Sequence, residues 1–254
     1  SEIKEVIKHT DIEYTFRMTY EGDVKPGQFF EVSLPKFGEA PISVSGIGKG
    51  TVDLTIRRVG KVTNEIFTNY VGDKLFLRGP YGNGFDVNNY KGKEITVVAG
   101  GTGLSPVRGV VEYFAENREE AENFNLICGF KSPEDILFKD DLKLWEDKMN
   151  LILTVDKAHE GYAGNTGLVT TFIPELEIKD INNTAFIVVG PPMMMKFTVL
   201  EILKRGVPEE NIWISHERKM CCGLGKCGHC KIDDTYICLD GPVFNYTKGK
   251  NLVD

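Results

Sequence analysis

The rhythm of hydrophobic and polar positions changes once along this chain. Up to about Asp86 the apolar residues fall in short alternating or β-branched runs, at 3–9, 14–20, 29–33, 52–58 and 74–79. Turn clusters separate them, among them Glu21-Gly22-Asp23, Lys25-Pro26-Gly27 and Gly48-Lys49-Gly50. Short strands at that spacing predict a small antiparallel barrel. One short helix is expected at Thr63, with Thr63 as N-cap and Asn64-Glu65-Ile66-Phe67 as its first turn.

After about Lys91 the pattern becomes strand, turn, helix. Residues 95–99 read as a buried strand running into Gly100-Gly101-Thr102-Gly103-Leu104-Ser105-Pro106, then a helix with the stripe Val107, Val110, Val111 and Phe114. Further strands are expected at 125–129, 151–155, 185–190 and 212–215, and helices at 138–147, 167–173 and 196–205. That alternation predicts a doubly wound parallel sheet of about five strands.

Ligands of such sheets bind at the carboxyl ends of the strands. Those ends carry residues 100–103, Gly129, Asp156 and residues 190–194, which places a nucleotide there. A strand, a glycine turn and a helix let the backbone approach a pyrophosphate at a helix N-terminus. Pro106 stands where the third glycine of the full fingerprint would be. The triplet Met193-Met194-Met195 reads either as core filler or as a polarizable wall for a ring.

In the barrel, three stretches go beyond fold: Ala40-Pro41-Ile42-Ser43-Val44-Ser45, residues 55–63 with Arg57 and Arg58, and Leu77-Arg78-Gly79-Pro80-Tyr81-Gly82-Asn83-Gly84-Phe85. An arginine ahead of a helix start is a ready anion site. A plain turn or a solvated charge is the competing reading of each.

The chain has 254 residues, 41% hydrophobic and 26% charged, with a formal net charge of −7. These values suit a globular protein and, with no basic cluster, argue against nucleic acid as a partner. No apolar run approaches the ~18 residues of a membrane helix, and the charged N-terminus does not read as a signal peptide. A cytoplasmic location without membrane attachment is the expectation.

Five of the six cysteines lie between Cys221 and Cys238, and Cys222, Cys227, Cys230 and Cys238 have the spacing C-x4-C-x2-C-x7-C. This is the plant-type ligand spacing of a [2Fe-2S] cluster. Gly223, Gly225 and Gly228 suit a loop that wraps inorganic sulfide with positive φ. Structural zinc usually takes two short hooks separated by a longer loop, and disulfides suit an oxidising compartment, so both are weaker alternatives. Cys221 reads as packing beside the loop, His229 as an outer-shell or surface group, and Cys128 as a buried structural thiol.

The order of these features resembles the ferredoxin–NADP reductase superfamily, in its iron–sulfur flavoprotein branch. The resemblance rests on Pro41-x-Ser43, Gly100-Gly101-x-Gly103-x-x-Pro106, Gly190-Pro191-Pro192-x-Met194 and the terminal C-x4-C-x2-C, and covers nearly the whole chain. That branch includes electron-transfer subunits of type B dihydroorotate dehydrogenase, gamma subunits of sulfhydrogenases and the corresponding electron-transfer chain of anaerobic sulfite reductase. The short interval between Cys230 and Cys238 looks most like the last two.

The resemblance implies three regions: an FAD-binding barrel over 1–90, a nicotinamide-nucleotide domain over 91–215 and a [2Fe-2S] segment over 216–254. Pro41, Ile42 and Ser43 would line the isoalloxazine, with Ser43 near its reactive N5 edge and therefore the catalytic candidate. Arg57 and Thr63 would hold the pyrophosphate. Many relatives have arginine where this chain has Ala40, which leaves more of that charge to Arg57 or Arg58. Gly101, Thr102 and Gly103 would bind the nicotinamide nucleotide, and Gly190, Pro191 and Met193 would line its approach. NADH is the expected donor, although Lys131 could favour a 2′-phosphate.

The implied function is electron transfer from NAD(P)H through FAD and the cluster to a catalytic reductase or hydrogenase subunit in a hetero-oligomer. Lys226, Lys231 and Phe244 are the candidate contacts. Delivery to dihydroorotate dehydrogenase is the alternative, and a flavin-free redox-sensing module is the reading from another class.

Overall fold

The computed structural model describes residues 1–69 and 74–252. Residues 70–73, in the expected barrel, and 253–254, at the end of the expected metal segment, lie outside them. The described chain forms two compact units. The first comprises Ser1–Phe85 with His216–Val243 and Leu252, and the second Asp86–Ser215 with Phe244–Asn251.

In the first unit, strands β1 (Ile3–Lys8), β2 (Glu13–Thr19), β3 (Phe29–Leu34), β4 (Gly38–Gly48), β5 (Thr51–Arg57) and β6 (Phe76–Tyr81) form a sheet in the order β1-β2-β5-β4-β3-β6. Every pairing is antiparallel. The ends of β1 and β6 are joined by the Glu2–Lys74 bridge and by reciprocal bonds between Ser1 and Leu75, which close the barrel. Strand alternation sends Phe16, Met18, Phe30, Val32, Leu54 and Ile56 inward, where all are fully buried.

The helix α1 (Lys61–Asn69) adds Ile66 to that core. It begins two residues before Thr63, so Thr63 is not its N-cap. The Thr63 Oγ1 instead accepts bonds from the N–H groups of Val59 (3.0 Å) and Gly60 (2.9 Å), tying the incoming turn to the first helical turn. The longest strand, β4, carries the Pro41-Ile42-Ser43 motif within a continuous ladder.

In the second unit, β7 (Glu94–Gly100), α2 (Leu104–Glu116), β8 (Asn123–Phe130), α3 (Lys139–Trp145), β9 (Asn150–Val155), β10 (Asn165–Thr166), β11 (Thr184–Val189), α4 (Pro192–Lys204) and β12 (Ile212–Ser215) alternate as expected. The stretch expected as a helix at 167–173 is a single 3-10 turn, Val169–Phe172, after the two-residue strand β10. The sheet order is β10-β9-β8-β7-β11-β12-β13, where β13 is Val243–Asn245, and all pairs from β10 to β12 are parallel. Among the described residues, short edge strands bring this sheet to seven, beyond the about five expected. The winding reverses between β7 and β11. That topological switch point is where an open α/β sheet offers its crevice. Among the described residues, no helix is long and apolar enough to cross a membrane.

Candidate functional site

At the switch point the sequence places glycine on both neighbouring strand ends. A Cβ on Gly103 would stand 2.5 Å from the Val189 carbonyl oxygen, and one on Gly190 would stand 2.5 Å from the Met194 sulfur. The Gly101-Thr102-Gly103 turn and the Gly190-Pro191 turn therefore pack directly together. Gly101 has φ +54° and nothing within 4 Å of its missing side chain, which leaves its backbone open to a ligand. The helix α2 begins immediately after, at Leu104, so its N-terminal N–H groups serve the same turn.

Pro192 opens α4, so the methionine triplet is helical and not a loop. Met195 points into the core, while Met193 is exposed at this turn. At the ends of β8 and β9, Lys131 and Asp156 are both exposed. The carboxyl of Asp156 is raised by partial desolvation.

On the barrel, pairing with β3 sets the motif strand. Ser43 lies opposite Phe29, Ile42 opposite Phe30 and Pro41 opposite Glu31. Ile42 packs toward the barrel core, so Pro41 and Ser43 share the outer face. Arg57 ends β5, half-exposed and paired with Glu13 at 3.2 Å, and Arg58 donates to Asn64 at the start of α1. Two guanidinium groups thus stand near a helix N-terminus, a donor set suited to a pyrophosphate.

The four thiols fall into two neighbouring pairs, Cys222 with Cys227 and Cys230 with Cys238, with Cys222 also in the field of Cys238. Among the described residues, no three His, Cys, Asp or Glu side chains converge as a single ion would require. Backbone N–H groups point at the sulfurs. Leu224 (3.3 Å) and Lys226 (3.4 Å) donate to Cys222, Gly225 to Cys238 (3.3 Å) and Cys238 to Cys230 (3.4 Å). The N–H groups of Leu224, Lys226 and Cys227 draw the Cys222 thiol down to about 6, whereas burial pushes Cys238 up to about 12.

Two pairs of thiols, with amides already aimed at sulfur, match the donor set of a two-iron cluster. Gly223, Gly225 and Gly228 have φ of 71°, 66° and 82°, the left-handed conformations the spacing predicts. Cys227 and His229 are exposed, Cys221 is half-buried, and Cys128 is sealed in β8, where burial raises its thiol.

The segment from Gly79 to Gly84 docks this loop. The Asn83 side chain donates to the carbonyls of Asp240 (3.1 Å) and Val243 (2.8 Å), and its backbone N–H donates to Gly241 (2.8 Å). Gly223 lies flat against the Tyr81 ring, leaving no room for a side chain. Arg78 engages all five of its N–H bonds: two to Glu39 (3.2 and 2.7 Å), one to the Tyr81 hydroxyl (2.9 Å), and one each to the carbonyls of Cys221 (2.8 Å) and Cys222 (2.6 Å).

Beside it Glu31 is fully buried, and neither carboxylate oxygen has a hydrogen-bond partner among the described residues. Desolvation, only partly opposed by Arg78, pushes its carboxyl up to about 7. The sequence marks the Arg78 stretch as one that goes beyond fold but does not show it as a dock, and it does not point to Glu31 or Glu39. The only signal was the charge of Glu31 inside a strand of buried residues. Lys226 and Lys231 are exposed, but Phe244 is buried, so it does not offer a contact surface.

A glycine-lined switch point and a barrel unit carrying a four-thiol loop, in one chain, define a nicotinamide-nucleotide oxidoreductase with an iron–sulfur segment. The family models agree: an oxidoreductase NAD-binding domain matches residues 97–199, and the iron-sulfur cluster binding domain of dihydroorotate dehydrogenase B matches 217–248. The chain is 37% identical over 233 residues to the sulfhydrogenase 1 subunit gamma of Pyrococcus furiosus, covering 87% of this chain and 79% of that one. It is 32% identical over 239 residues to a probable dihydroorotate dehydrogenase B (NAD(+)) electron transfer subunit of the same organism, covering 94% and 85%. Among solved structures, a chain of an NADH-dependent reduced ferredoxin-NADP oxidoreductase matches with a TM-score of 0.80 and 27% identity, over 97% of this chain and 88% of that one. The chain belongs to the family of sulfhydrogenase gamma subunits and dihydroorotate dehydrogenase B electron-transfer subunits. It is an electron-transfer subunit with an NAD-binding domain and an iron–sulfur domain.

Proposed function

We propose that this subunit takes electrons from NAD(P)H, passes them through FAD and a [2Fe-2S] cluster, and delivers them to a catalytic partner of the sulfhydrogenase or anaerobic sulfite reductase kind. In this reading residues 1–90 bind FAD, 91–215 the nicotinamide nucleotide, and 216–254 the cluster. The observation that carries it is the paired arrangement of Cys222 with Cys227 and Cys230 with Cys238, with amides donating to the sulfurs of Cys222, Cys230 and Cys238.

When bound, the flavin supplies the exchange between electron pairs and single electrons, and the cluster supplies a one-electron exit. The protein's part is positional. Pro41 and Ser43 offer the outer face of β4 to the ring, Arg57 and the first turn of α1 offer charge and N–H groups to the pyrophosphate, and Thr63 braces that turn. Gly101, Thr102 and Gly103 hold the nucleotide phosphates, and Gly190, Pro191 and Met193 shape the approach of its ring. No side chain has to act as acid or base.

The seven-residue interval before Cys238 and the 37% identity favour a sulfhydrogenase-type partner. Delivery to dihydroorotate dehydrogenase is the second reading, supported by the match at 217–248. The native complex, purified anaerobically, is to be assayed with NADH against sulfur-compound acceptors and against dihydroorotate with NAD(+). Turnover with the sulfur compounds is expected. Turnover confined to dihydroorotate would replace the first partner with the second.

A further inference from the structure

The barrel holds a charge pair that the electron path does not require for its chemistry. Arg78 spends every N–H bond: two on Glu39, one on Tyr81, and two on the carbonyls of Cys221 and Cys222. Arg78 and Cys222 are 144 residues apart in sequence. Glu39 lies immediately before Ala40-Pro41-Ile42-Ser43 in β4, and Arg78 lies opposite Glu31 in the β3–β6 ladder. One guanidinium therefore ties the flavin-motif strand to the peptide of the first thiol ligand. It does so as a planar fork, which a lysine cannot reproduce. Its charge faces two carboxylates, Glu39 in an ion pair at 2.7 Å and the buried carboxyl of Glu31 opposite it in the ladder, which makes no hydrogen bond among the described residues.

We infer that Arg78 and Glu39 form a positioning pair that fixes the cluster loop on the barrel and sets the reduction potential of the cluster it holds. The inference rests on the reading of the four cysteines as [2Fe-2S] ligands. A cluster gains one negative charge when it takes up one electron. A cation held against the ligand peptide favours the reduced form, and a carboxylate at the same place disfavours it. The two members of the pair must therefore act with opposite signs, which a purely mechanical brace would not do.

The test is a dye-mediated anaerobic redox titration of the full chain, with the reduced cluster read by electron paramagnetic resonance and iron counted for each variant. At a fixed ambient potential, Arg78→Gln is expected to lower the reduced-to-oxidised ratio several-fold, and Glu39→Gln to raise it several-fold. Arg78→Lys, which keeps the charge but not the fork, is expected to stay near the wild-type ratio while losing iron faster to a chelator. Unchanged ratios in both glutamine variants, or shifts of the same sign, would overturn the inference. If Arg78→Gln retains no iron, an unchanged ratio in Glu39→Gln overturns it alone. A wild-type chain without iron would instead remove the cluster reading beneath it, and the iron count separates the two failures.

Discussion

Glu31 shows how one residue can carry a cost that the sequence does not display. A carboxylate buried without a donor is destabilised in its charged form, so the folded chain binds its proton more tightly than the unfolded chain does. Its pKa of about 7 against an ordinary 4.5 gives the sign. Above about pH 7 the group is ionised in both states and the full burial cost is felt. As the pH falls from about 7 toward 4.5 the folded protein takes up the proton first, and the cost is relieved. Glu31→Gln is expected to remove this slope, gaining up to about 3 kcal/mol relative to the wild type near pH 8 and little near pH 5. Urea denaturation at the two pH values measures it, and a constant difference would contradict the assignment.

Single elements show where close packing and backbone conformation part company. Gly101 and Gly103 are neighbours in one turn but are glycine for different reasons. At Gly101 the backbone has positive φ with open space above it, so alanine is expected to cost about 1–2 kcal/mol in strain without a clash. At Gly103 the backbone is ordinary, but a Cβ would press on the Val189 carbonyl and on Gly190. Gly103→Ala must therefore push the two nucleotide turns apart. It is expected to cost about 1–3 kcal/mol and to raise the KM for NADH more than Gly101→Ala does. Thermal unfolding and steady-state kinetics of the pair check both parts, and equal KM values would contradict the packing account.

At the scale of the molecule, the barrel and the doubly wound sheet were legible because their hydrophobic periods differ. Five parallel strands could be placed from apolar runs of four to six residues. The edge strands β10 and β13 could not, since two or three residues carry no period. The cysteine spacing and its glycines were legible too, because ligand geometry and positive φ are local demands. The dock was not: Arg78, Asn83 and Tyr81 meet residues more than 140 positions away, and nothing in either stretch announces the other. The same holds for Phe244, which reads as a candidate partner contact beside the cysteines but is buried.

The central claim is that electrons entering in pairs from a nicotinamide nucleotide leave singly through the thiol-bound iron. The most direct measurement is an anaerobic titration of the isolated subunit with NADH, following flavin bleaching by absorbance and the iron signal by electron paramagnetic resonance. The account predicts that NADH alone bleaches the flavin and generates a paramagnetic reduced cluster in the same sample. Flavin that bleaches while the iron stays silent at every NADH concentration, with dithionite still able to reduce it, would contradict it.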